Sequence, residues 1–163
     1  MDAWTNTALV GIAATALTDL WSLARRALFG LPLPDFGLVG RWLAHMPRGR
    51  FVHASIAAAA PVAGERILGW VAHYLIGAAF AALMPLLFGA AWLRNPTLAP
   101  ALAVGIGTVA APFLLMQPGM GAGLAARRSP RPNFARLQSL ATHAVFGLGL
   151  YAAAWATAFT AGG

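Results

Sequence analysis

The sequence predicts an all-α integral membrane protein, a four-helix bundle with short interfacial helices in its first cytoplasmic loop, and three observations lead there. Of 163 residues, 60% are hydrophobic and 9% charged, a mixture too apolar for an ordinary water-soluble domain of this length. Four apolar windows, at 7–28, 67–93, 98–117 and 137–160, are each long enough to cross about 30 Å of hydrocarbon at about 1.5 Å per residue. All eleven basic residues are arginine, and all but Arg94 flank or lie in the first and third connections. Short arginine-rich loops stay on the cytoplasmic side, so both connections are expected to be cytoplasmic and both termini periplasmic. That distribution makes the net charge of +7 a topology signal and not a nucleic-acid footprint. The partner it implies is the lipid bilayer, with some attraction to anionic lipid.

The windows leave little chain for anything else, so residues 1–163 are read as a single membrane domain. Ahead of the first span, Met1-Asp2-Ala3-Trp4 has no basic segment of the kind that opens a secretory signal, and the span is expected to be retained. Its Thr15, Thr18, Asp19 and Ser22 fall on one helical face. Gly11 and Ala14, one turn earlier, are small enough for another helix to come close.

The loop 29–66 holds two apolar pieces, 36–46 and 51–60, separated by the turn-forming Pro47-Arg48-Gly49-Arg50. Both are expected to be short helices at the cytoplasmic interface. Glu65, beside Arg66, is expected to act as an ion-pair partner or a helix-start carboxylate.

Spans two and three are joined by a short link containing Arg94-Asn95-Pro96, which makes them antiparallel neighbours. Pro85 and Pro112 lie inside these spans, where each bends its helix and frees a backbone carbonyl. The third span ends at Met116-Gln117-Pro118-Gly119-Met120-Gly121, and the fourth starts near Arg136. Arg66, His73 and Gly77 are spaced as Arg136, His143 and Gly147 are, a match that fits duplication of a two-helix unit or chance. Trp4, Trp92 and Trp155 fall near the outer ends of the spans and Trp21, Trp42 and Trp70 near the inner ends, as interfacial belts do.

Asp19, His73 and His143 stand inside three of the spans, each six or seven residues from an arginine. They are expected to share one layer roughly 10 Å inside the cytoplasmic boundary, with Gln117 approaching it from the third span. A charge within a bilayer costs about 2.5–3.5 kcal/mol on insertion scales and marks a functional position. Two imidazoles from facing helices suit a haem or a transition metal. In that reading His73 and His143 are the ligands, and Asp19 is a further ligand or an acceptor for the second imidazole nitrogen. His45 and His53 are secondary metal candidates from the loop, while Met116 and Met120 are assigned to packing.

The alternatives are a proton-coupled small-solute transporter, in which the same groups titrate, and a purely structural subunit of a homo-oligomer or larger membrane complex. Neither a nucleophile elbow, a phosphate loop, HExxH nor GxGxxG stands at a usable place, so a conventional enzyme is not expected. With no cysteine, thiolate chemistry is excluded.

Thr18-Asp19-Leu20-Trp21, Gly40-Arg41-Trp42 with His45, Gly64-Glu65, Gly69-Trp70 with His73-Tyr74, Gln117-Pro118, and His143 with Phe146-Gly147 occur in that order along the chain. In these motifs the sequence resembles a family of small bacterial integral membrane proteins known only as a domain of unknown function. The resemblance covers nearly the whole chain. It implies a multi-span protein of the bacterial inner membrane, and it implies no activity.

Overall fold

A computed structural model describes residues 2–161, with side chains up to Phe159. Among these residues the regular structure is all helical: α1 (Ala3–Phe29), α2 (Phe36–His45), α3 (Glu65–Ala81), α4 (Leu83–Phe88), α5 (Leu98–Gly107), the short α6 (Gln117–Met120) and α7 (Pro132–Ala161). Four stretches are long and apolar enough to cross a membrane: Ala3–Phe29, Glu65–Phe88, Leu98–Met120 and Pro132–Phe159. Their outer surfaces carry bare aliphatic side chains, with Leu75, Leu115 and Leu137 all more than 60% exposed. Water would not tolerate such a surface, and hydrocarbon would.

The chain divides into two compact units, Met1–Leu33 with Tyr74–Thr108 and Ala141–Gly163, and Pro34–His73 with Val109–Leu140. In the first unit, α1 starts where the Asp2 carboxylate accepts from the backbone N–H of Trp4 and Thr5, and stops at Gly30, whose φ of 65° reverses the chain. Its buried face runs Thr7, Val10, Gly11, Ala14, Thr15, Thr18, Ser22, Arg25, a helical stripe of mostly small side chains. Against this stripe the neighbours come very close. A β-carbon at Gly11 would lie 2.6 Å from Cα of Ala78, and one at Gly149 would lie 2.8 Å from Cα of Ala14. At Gly77 it would collide with the Thr15 hydroxyl, and at Gly105 with the backbone of Gly147. A cluster of Val10, Ala81, Met84, Trp92, Leu93, Val104, Phe146 and Leu150 fills the space these contacts leave.

In the second unit, α2 starts at Asp35, which accepts from the Gly37 N–H at 2.9 Å, and lies on the first turns of α3. A β-carbon at Gly40 would meet the Glu65 carbonyl, and one at Gly69 the Phe36 carbonyl. Gly119 packs against the Trp42 indole, where an added β-carbon would lie 2.6 Å from Nε1, and that Nε1 donates to Phe51 O at 2.9 Å. Arg136 Nε donates to Ala125 O at 2.8 Å, bracing a turn in which Ala125 and Ala126 both have positive φ.

Three expectations are corrected. Segment 51–60 is not a helix beyond the single turn Ile56–Ala58. Its backbone groups bond elsewhere, His53 N to Gly119 O and the Ile56, Ala57 and Ala59 carbonyls to Arg41. The second span ends at Phe88 and not at 93, because Gly89 turns the chain with φ 77°. The turn that follows tucks Trp92 and Leu93 into the core at 6% and 4% exposure, so Trp92 is not an interfacial side chain.

The two prolines act as expected, in different ways. Pro85 has no N–H for Ala81, and the helix is interrupted at Ala82 between α3 and α4. At Pro112 the backbone widens into a π-helical turn, Pro112–Met116, closed by Gln117 N–H on Pro112 O.

The glycine contacts generate a direct test. Replacing Gly77 or Gly105 by leucine should lower the melting temperature followed by circular dichroism in detergent, by an amount equivalent to about 1–3 kcal/mol or more. Gly107→Leu is the control, since nothing lies within 4 Å of that helical glycine, and it should leave the midpoint unchanged or slightly raised.

Candidate functional site

Polar side chains inside the candidate spans are handled in two ways. Most hydroxyls are spent on their own helix: Thr7 on Ala3 O at 2.7 Å, Thr15 on Gly11 O at 2.8 Å, Thr18 on Thr15 O at 2.7 Å and Ser22 on Thr18 O at 2.9 Å. Such back-bonding satisfies the hydroxyl without a partner helix. The stripe read from the sequence is therefore a surface of small side chains, and its hydroxyls do not line a polar path.

Asp19 and His143, both in the first unit, are treated differently. The Asp19 carboxylate accepts from the Tyr74 hydroxyl at 2.9 Å, which joins α1 to α3. Around His143, Thr108 Oγ1 lies 2.6 Å from Gly105 O, and a carbonyl can only accept, so the threonine proton is committed there. His143 Nδ1 lies 2.9 Å from Thr108 Oγ1 and 3.3 Å from Gly105 O. It must therefore be the N–H end of the ring. A neutral imidazole anchored in this way carries its lone pair on Nε2. Phe80 is the aromatic neighbour, with ring centres 6.5 Å apart.

The other two expected site residues belong to the second unit. His73 stacks on Phe36, with ring centres 4.0 Å apart and planes 27° from parallel, and meets the Trp70 indole edge-on at 5.8 Å. Gln117 donates from Nε2 to Ser139 Oγ at 3.4 Å, while its buried Oε1 finds no hydrogen-bond partner among the described residues. His45 and His53 lie with ring centres 5.2 Å apart. Among the described residues no group of three or more His, Asp and Glu is close enough to hold a metal ion.

Thr108 and Arg41 are the residues that sequence reasoning missed. Thr108 is a lone hydroxyl in an apolar helix three residues after Gly105, which is a signal for back-bonding but gives no hint of His143. Arg41 looked like topogenic charge. It forms a forked pair with Glu65, Nη2 to Oε1 at 2.7 Å and Nε to Oε2 at 2.9 Å, and its Nη1 reaches three loop carbonyls at 3.2–3.4 Å. Hydrogen bonding to Glu65 raises the pKa of the guanidinium further. Glu65 also accepts from Val62 N–H at 2.8 Å. The ion pair expected of Glu65 is thus made with Arg41, which lies outside the candidate spans.

Because only a planar fork makes both contacts, Arg41→Ala and Arg41→Lys should both loosen the segment 55–62. Limited proteolysis of the detergent-solubilised protein should cut there several-fold faster than in the wild type, with lysine restoring little.

Residues 8–157 match the model of a family described as "Protein of unknown function (DUF2938)". No curated protein and no solved structure matches the chain.

Proposed function

The chain belongs to the DUF2938 family, and on the local chemistry of its first unit we propose that it is a small polytopic protein of the bacterial inner membrane that binds a haem or a transition metal through His143. One observation carries this reading. Thr108 and Gly105 hold the His143 ring by Nδ1, and an imidazole fixed by one nitrogen with its lone pair on the other is the form in which histidine ligates metals. Asp19, kept in place by Tyr74, supplies negative charge within the same unit. His73 is the other histidine expected as a ligand. The role this supports is binding, as an accessory or ligand-holding membrane protein, without a catalytic residue of its own.

Proton-coupled transport is the second reading, favoured by the Asp19 carboxylate and Tyr74 phenol paired within candidate spans. Against it, the hydroxyls along α1 face inward but are bonded to their own backbone, which leaves few polar groups for a passing solute.

Purification in mild detergent, followed by a visible spectrum and elemental analysis, tests the first reading. A Soret band or a stoichiometric metal is expected, with the band or one metal equivalent lost in His143→Ala and weakened in Thr108→Val; the effect of His73→Ala is read separately. A colourless, metal-free preparation would sink it. Proteoliposome proton flux that disappears in Asp19→Asn would install the transporter in its place. Reporter fusions at 48–50 and 128–131 should report a cytoplasmic location, and fusions at either terminus a periplasmic one.

A further inference from the structure

His45 and His53 take no part in the reading above. His45 closes α2 and is 4% exposed; His53 follows in the extended segment and is half-buried. Their rings are centred 5.2 Å apart with planes at 83°. Nε2 of His45 lies 3.1 Å from Ala60 O, and Nδ1 of His53 lies 3.4 Å from Gly119 O. Carbonyl oxygens only accept, so both of these nitrogens are the protonated ones.

In neutral imidazoles that uses the single ring proton, and the lone pairs fall on His45 Nδ1 and His53 Nε2. Both atoms are buried, and neither has a hydrogen-bond partner among the described residues. Two buried acceptors cannot satisfy each other, and a buried acceptor left alone is costly. A metal ion bound by both would satisfy them at once.

From this geometry we infer that His45 and His53 form a two-nitrogen binding site for a late first-row divalent metal ion, Cu2+ or Zn2+. Each ring has the anchoring that metal-ligating histidines show, one nitrogen on a backbone carbonyl and the other free. With metal–nitrogen bonds of about 2.0–2.1 Å, two imidazoles on a tetrahedral ion have ring centres roughly 5 Å apart, the spacing seen here. The frame is fixed by contacts that do not need the metal: His53 N–H on Gly119 O at 2.8 Å, and Gly119 packed against Trp42 too closely for a β-carbon. Nitrogen donors select copper and zinc over magnesium or calcium. No third His, Asp or Glu completes the set among the described residues, so the two imidazoles are the whole side-chain donor set.

The test uses the full chain in detergent, stripped with a chelator and then dialysed against Cu2+ or Zn2+ alone. In the His143→Ala background, which removes the other proposed metal ligand, one ion per chain is expected, with a Cu2+ electron paramagnetic resonance spectrum showing two nitrogen ligands. His53→Gln and His45→Gln should each weaken binding by about tenfold or more and reduce the nitrogen count to one, while Gly107→Leu should leave both unchanged. Should a variant misfold, Zn2+ should still slow limited proteolysis of the wild type around His53, as read by mass spectrometry. No stoichiometric binding in the wild type, no protection by Zn2+, or unchanged binding in both glutamine variants would overturn the inference. Binding lost in His143→Ala but kept in His53→Gln would also overturn it, while leaving the His143 reading in force.

Discussion

Helices in lipid gain nothing by hiding apolar side chains from one another, because the acyl chains are equally apolar. What holds such helices together is close van der Waals approach, and in the first unit this approach is set by residues that lack bulk. Gly11 against Ala78, Gly77 against Thr15, Gly105 against Gly147 and Gly149 against Ala14 leave no space for another carbon. The hydrogen bonds of the unit follow from these contacts. Tyr74 can reach Asp19 only because α1 and α3 lie so near, and Thr108 can reach His143 only because α5 and α7 meet at glycines.

The second unit is held differently. Its helix contact at Gly40 and Gly69 is equally tight, but its irregular segment is secured by polar bonds from long side chains. Arg41, Trp42, His45 and His53 each bond a backbone carbonyl. Loops without a ladder of their own need such partners, since a buried carbonyl without one is costly. The polar side chains that sequence reading treated as charge or as interface anchors are here the scaffold of a loop.

How much of this was legible in the sequence depended on whether a signal was periodic or pairwise. Apolar length and the Gly11 and Ala14 stripe are properties of one segment, and each gave the right element. The ends were less legible. Gly89 stops the second span early, and Trp92 turns inward because the core has room for an indole, which no local pattern encodes. The site was legible as residue types only. Asp19 and His143 stood out by their cost in hydrocarbon, but their partners Tyr74 and Thr108 lie 55 and 35 residues away. Those pairings come from helix packing. The 51–60 segment looked helical because it is apolar; it is irregular because its carbonyls are claimed by an arginine from another element.

That arginine also imposes an order on assembly. Arg41 precedes the carbonyls it binds by 15, 16 and 18 residues and its carboxylate by 24, so α2 is synthesised well before anything can answer its guanidinium. Until the first turn of α3 has been made, the guanidinium has no carboxylate to hold it against the loop. Once Glu65 arrives, one docking event fixes both α2 and the irregular segment. The pair therefore ties the docking of this part of the chain to the start of its second membrane-length helix.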